Sequence, residues 1–141
     1  MRYVKLGLLV FVLCLFGKTA VVADVLSREK IEKLYGEGNY KEAYEGFKGL
    51  VLDPGGVGED LNKAIHCLRQ LNRVNETDEL REAVIEVHKD NWLLLLVAAQ
   101  SYFYAEHYGY IVAGEFQRGR CGGRYVNSFE RDRIRALQLM D

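Results

Sequence analysis

From Ser27 onward apolar residues return every three or four positions, and a single proline interrupts the whole 141-residue chain. Ile31, Leu34 and Tyr35 make one stripe; Tyr40, Ala43, Tyr44, Phe47, Leu50 and Val51 make the next. That period follows the 3.6-residue turn of an α-helix, not the two-residue alternation of a strand. Gly36 and Gly38 separate the two stripes, and Asn39 with Glu42 three residues later has the pattern of a capping box at the start of the second helix. Helices joined by so short a turn fold back on each other as a hairpin. Leu61, Ala64, Ile65, Leu68 and Leu71, then Leu80, Ala83, Val84 and Val87, repeat the pattern across a polar turn at 72–77, which predicts a second hairpin. Residues 92–99 are apolar on every side, which predicts a helix with neighbours on both sides; eight residues are too few to cross a bilayer. The expected fold is all-α: about three helical hairpins and a last helix over 128–140, capped by Asn127 and Glu130, in one domain spanning 24–141.

Residues 1–23 have a different character. Arg2 and Lys5 precede an apolar run at 6–16, and Val21-Val22-Ala23 offers small residues before Asp24, the layout of a secretory signal peptide. As a helix the run would rise about 16 Å, half of a hydrocarbon core, so cleavage after Ala23 is expected in place of a permanent membrane anchor. The mature chain then carries 16 basic and 20 acidic side chains, a net charge of -4. This balance gives no general attraction to nucleic acid, while the signal-peptide layout points to an exported protein, periplasmic or extracellular. Loss of Cys14 leaves Cys67 and Cys121, which are compatible with one disulfide or with two free thiols. Their wide separation, without histidine or cysteine neighbours at short spacing, speaks against structural zinc.

The stretch GEGNYKEAYEGF at 36–47 resembles a tetratricopeptide repeat, with Gly38, Tyr40, Ala43 and Phe47 at the spacing of that family's second helix and Pro54 following it. The resemblance implies that the small Ala43 lets two helices approach while Tyr40 and Phe47 fill the groove beside it. Trp92, Leu95, Leu96 and Ala99 resemble the start of another repeat, but Tyr110 and Ala113 lack the aromatic residue expected four positions later. A second resemblance is carried by RCGGRYVNSFERDRIRALQLM, EAVIEVHKDNW and HYGYIVAGEF. These are similar to the region after the signal peptide in very large bacterial alpha-2-macroglobulin-like proteins, over about 27–140. There a helical segment precedes the β-sandwich and thioester domains that trap proteases. Those domains do not fit in this chain, so the resemblance implies a truncated start of a larger protein or a separate protein sharing the module.

The same family joins a cysteine to a glutamine three residues later in an internal thioester, and Cys67 and Gln70 have that spacing. This is the alternative reading, a covalent trap. His66 and Arg69 stand where the family has a glycine and an acid, and Cys67 inside a helix reads more simply as a small buried hydrophobe. His66, His88 and His107 are too scattered for a helical metal pair; surface or helix-end places are expected, His88 and Lys89 at the end of the fourth helix. Glu79, Glu82 and Glu86 read as a solvated helix face. Residues 119–124 are glycine-rich and basic without the Lys-Ser or Lys-Thr of a phosphate loop, so a connector is expected. Asn75-Glu76-Thr77 fits a glycosylation acceptor.

Between Tyr102 and Phe129 lie eight phenylalanine or tyrosine residues, interleaved with Arg118, Arg120 and Arg124. They read first as the aromatic core of a helical hairpin, and otherwise as a surface that stacks a peptide, a sugar or a base. Tyr102, Tyr104, Tyr108 and Tyr110 are the contact candidates, with Arg118 and Arg124 as anion partners. Ile134, Leu137 and Met140 share one face of the last helix and meet no stop signal, so an exposed apolar patch is expected there. No catalytic residue, metal site or cofactor is expected. The function read from these features is a noncatalytic interaction module, or a stand-alone extracytoplasmic tetratricopeptide-like adaptor. Its groove would hold a protein or peptide, or the downstream domains of the same larger protein.

Overall fold

The computed structural model describes residues 27–141; the expected signal peptide and its cleavage site lie outside the described residues. The chain is mostly helical and carries one small sheet. In order come α1 (Arg28–Gly36), α2 (Tyr40–Leu52), α3 (Gly58–Gln70), a 3-10 turn (Val74–Glu76), α4 (Thr77–Val87), α5 (Trp92–Phe103), β1 (Tyr108–Val112), β2 (Glu115–Arg118), β3 (Arg124–Asn127) and α6 (Phe129–Gln138). No helix among the described residues is long and apolar enough to cross a membrane.

The helix boundaries follow from local chemistry. Ser27 caps α1 by accepting from the Lys30 amide at 3.4 Å. The helix stops where Gly38 takes φ +80°, donating to the Tyr35 carbonyl while Asn39 donates to that of Leu34. This double closure satisfies carbonyls that the helix end would otherwise leave bare, and it needs a left-handed residue. Asn72, at φ +57°, ends α3 in the same way, with Arg73 donating to the Leu68 carbonyl at 2.8 Å. The capping box expected at α2 is absent: the Asn39 side chain makes no cap bond and donates instead to Glu37. At α6, Asn127 accepts from the Phe129 amide at 2.8 Å, while the capping position itself is Ser128.

The core lies among α1 to α5. Ala43, Tyr44, Phe47 and Val51 of α2 meet Leu61, Ala64, Ile65 and Leu68 of α3, all buried, with Leu80 and Val84 of α4 and Leu94 and Ala98 of α5. The α1–α2 crossing is closest at Gly46, where an added Cβ would stand 2.5 Å from Ile31 Cγ1. Ala43, one turn earlier on the same helix, is wholly buried. Arg28 forks onto buried Asp60 at 2.7 and 2.9 Å, tying α1 to α3. His88 stands at the end of α4 as expected, its amide donating to the Val84 carbonyl at 3.0 Å, but it is buried: its Nε2–H donates to the Val51 carbonyl at 2.7 Å and so closes the end of α2 as well. Thr77, which opens α4, is buried with no hydrogen-bond partner for its Oγ1.

The expected third hairpin is absent as such. After α5 the chain forms an antiparallel sheet in the order β2-β1-β3, with Tyr110 facing Gln117 on one side and Tyr125 on the other. Ala113 and Gly114, both at positive φ, make the two-residue turn between β1 and β2, whose handedness matches the strand twist. Gly109 is required in β1, since a Cβ there would meet the Phe116 ring and the Gln117 carbonyl at 2.3 to 2.7 Å. The aromatic residues of 108–125 therefore serve strands, not a helical core. The second departure is α5. Leu94, Ala98, Ala99 and Tyr102 are buried, but Trp92 is 69% exposed and Leu93 lies open beside it. Helices α3, α4 and α6 pack along it, and the stripe that carries Trp92 and Leu93 stays open.

Ala43→Leu should lower the stability of the chain by about 1 to 3 kcal/mol, because the larger side chain has no room in a filled core. Urea unfolding measures it, and an unchanged midpoint would place Ala43 outside the core.

Candidate interaction surface

The sheet is held to the helices by charge. Arg118, buried at the end of β2, donates from Nε and Nη2 to Asp78 of α4 at 2.8 and 3.1 Å. It also donates from Nη2 and Nη1 to Asp132 of α6 at 2.6 and 3.0 Å. Nη1 reaches the Glu106 carbonyl as well, at 2.8 Å. Arg131 reaches both carboxylates from outside, at 2.9 and 3.0 Å, and lies 4.5 Å from the centre of the Phe116 ring. Arg81, fully buried, donates to Asp78 at 2.8 Å and to Ser101 of α5 at 2.9 and 2.7 Å. Ser128 and His107 add hydrogen bonds to Asp132 at 2.9 and 3.0 Å.

Burial opposes every charge in this group. For Arg118, burial is outweighed by the hydrogen bonds it donates to Asp132 and Asp78, which raise its pKa above the ordinary arginine value. Burial would raise both aspartates, but hydrogen bonding and attraction from Arg118 win and lower them. Arg81 has the weakest compensation, and burial lowers its pKa.

These contacts correct part of the expected site. Tyr102 is 1% exposed, and its hydroxyl donates to Glu82 at 2.7 Å, so it is a core residue and not a contact. Arg118 does pair with anions, but they are internal ones. Glu82 belongs to no free solvated face: it also accepts a forked pair from Arg135 of α6, at 2.8 and 2.6 Å, and joins α4, α5 and α6. Tyr108, Tyr110 and Arg124 fall on the sheet, Tyr110 edge-to-face with Tyr125 at 5.9 Å, away from Tyr104, which is 76% exposed at the end of α5. The six candidates thus divide between core, sheet and helix end. Of the repeat-packing set, Ala43 and Phe47 are buried, Tyr40 is half-buried against Tyr35 and His66, and Gly38 makes its turn.

Sequence reasoning expected the exposed face of Ile134, Leu137 and Met140 but missed that α5 builds a surface together with it. Helix α6 docks through Asp132 and Ala136, with Leu139 packed on the core. This leaves Ile134, Leu137 and Met140 exposed, Leu137 by 53% and Met140 by 63%. Leu137 and Met140 face the open side of α5 across a cleft of about 290 Å³ whose walls also include Leu96, Ala99 and Phe103. Trp92 and Leu93 extend the apolar stripe toward the start of α5. The signal was present in the absence of a polar face on α5, which reads equally well as a buried helix.

Among the described residues no three histidine, cysteine, aspartate or glutamate side chains gather as a metal site. Cys67 and Cys121 are both free thiols. Cys67 is fully buried in α3, and burial pushes its thiol up to about 11; Gln70 lies exposed with its amide 3.2 Å from His66 Nε2. Comparison with protein-family models, with curated proteins and with solved structures finds no match.

Asp132→Asn should cost about 3 to 5 kcal/mol at neutral pH, because it leaves the buried Arg118 charge partly unpaired. The folded pKa values of Asp78 and Asp132 lie below the ordinary one, so their stabilisation is complete above about pH 4 and fades as pH falls through those lowered values. Urea unfolding of both chains between pH 7 and pH 2 should show the difference shrink in acid; equal stability at pH 7 would show that the network does not hold the sheet. Methylamine should leave the intact mass unchanged, since the Cys67 thiol is free; a thioester would instead be opened by the amine, which frees the thiol and adds one methylamine, about 31 Da, at the former glutamine carbonyl.

Proposed function

We propose that this protein is an exported, noncatalytic interaction module that docks a protein segment on the apolar face of α5 and α6. The observation that carries this reading is the open cleft between the two helices, flanked by exposed Phe103, Tyr104, Leu137 and Met140. An apolar surface of this kind is costly in water and is characteristic of a face that another chain covers. The tetratricopeptide-like reading rests on α2, which packs against both α1 and α3 with Ala43 and Phe47 in the interior. On the proposed resemblance to alpha-2-macroglobulin-like inhibitors, the docked segment belongs to the further domains of such a protein or to a partner that works beside it. The export assignment rests on the charge and apolar pattern of residues 1–23.

A photo-crosslinking amino acid at Met140 tests the reading in the producing cell. One defined adduct should form there, should be lost when Leu137→Glu is added, and should not form from the exposed Lys41 on α2. Equal adducts from Met140 and Lys41, or none from Met140, would overturn it.

A further inference from the structure

The apolar cleft does not end at Tyr104. A second cleft of about 330 Å³ lies between α3 and α5 and shares Gln100 and Tyr104 with the first. Apart from Ile65 its other walls are polar: Asn62 and Arg69 from α3, Arg81 from α4 and Ser101 from α5. The two clefts together make one groove, apolar at the α6 end and basic at the α3 end. Neither is lined by an aspartate or glutamate, whereas Arg69, Arg81 and Arg133 line them. This is opposite to the chain as a whole, where acids outnumber bases 20 to 19.

The positive sign has a structural source. Arg81, Arg118 and Arg131 share only two carboxylates, Asp78 and Asp132, so the buried network carries more guanidinium than carboxylate charge. Arg81, held by Asp78 and Ser101, forms part of the wall of the second cleft. Arg69, exposed on the same wall, has no carboxylate within ion-pairing distance among the described residues. Arg133, at the other end, is already held by Glu130 at 3.1 Å. The free positive charge is therefore concentrated at the α3 end.

We infer that the groove takes an acidic amphipathic segment of a partner protein, its apolar side chains in the α5–α6 cleft and its carboxylates beside Arg69 over Arg81. The fit is one of length as well as charge. The open stripe of α5 from Trp92 to Phe103 is about 18 Å long, the length of three helical turns, and presents residues at the four-residue spacing that a helix in a groove requires. This inference rests on the docking reading above and adds the chemistry of the occupant.

The probe is a fluorescein-labelled synthetic helical peptide with leucine on one face and aspartate on the other, compared with its leucine–lysine and serine–aspartate counterparts by fluorescence anisotropy on the mature chain. The leucine–aspartate peptide should bind saturably, at least tenfold more tightly than either counterpart, and more weakly as salt is raised. Arg69→Glu, at an exposed position outside the core, should weaken it about tenfold without changing the melting temperature. Leu137→Glu should weaken it by a similar factor. Equal binding of the aspartate and lysine peptides, or indifference to Arg69→Glu, would overturn the acidic occupant while leaving apolar docking intact. Binding of neither leucine peptide, with a dimer in sedimentation that Leu137→Glu dissociates, would overturn the inference in favour of a second copy of this chain.

Discussion

The Arg118 guanidinium is the joint on which the second half of the molecule depends. A three-stranded sheet of four- and five-residue strands has too little apolar area to hold its own place. Its inner face presents Gly109, which contributes no side chain, and Phe116, which spends its ring on Gly109 and Arg131. Position is instead set by one planar cation that reaches α4 through Asp78 and α6 through Asp132 at once. Its fork geometry fixes orientation as well as distance, which a lysine would not do. Because α6 follows the sheet directly, the same cation also sets where the last helix lies on α5. The apolar cleft is thus a product of an ion network, although no member of the network except Arg81 lines the groove.

The helical part was legible because its information is local. Stripes at three and four residues, a glycine at a left-handed helix end and an asparagine before α5 each act within a turn, and each element from α1 to α5 forms where its stripe lies. The sheet was not legible, for two reasons. Tyr108, Tyr110 and Val112 do alternate with Gly109 and Ile111, but aromatic residues at such density also suit a helix, and the Ala113-Gly114 turn lacks the Asn-Gly or Asp-Gly form that marks a hairpin most clearly. More fundamentally, what stabilises the sheet is non-local: Arg118 and Asp78 are forty positions apart, and no periodicity connects them. The site suffered the same limit. Tyr102 and Tyr104 look alike in sequence, yet two residues of helix turn one into the core and the other into solvent. Likewise the even apolarity of α5 reveals that the helix is sought by neighbours but not which of its faces stays open.

Helix α5 accordingly has two loyalties. Its buried side completes the core with Leu94, Ala98 and Tyr102, and its polar contacts at Ser101 and Tyr102 reach Arg81 and Glu82 of α4. Its open side forms one wall of both clefts. A ligand in the groove would therefore press on the helix that also carries the hydrogen bonds to Arg81, and binding and the internal charge balance would be coupled through a rigid element instead of a loop.

Thr77 carries a consequence of another kind. The hydroxyl is sealed beneath α4 without a partner, and it is the third residue of the Asn75-Glu76-Thr77 acceptor triplet. A sugar-transferring enzyme has to reach both the amide and that hydroxyl on a pliable chain; Asn75 is exposed in the 3-10 turn, but the hydroxyl is closed into the first turn of α4. In a host that performs this modification, folding and glycan addition would compete in time for the same three residues. A chain that folds before the enzyme arrives would emerge bare, so the occupancy of Asn75 would be a clock of how quickly this end of the molecule closes.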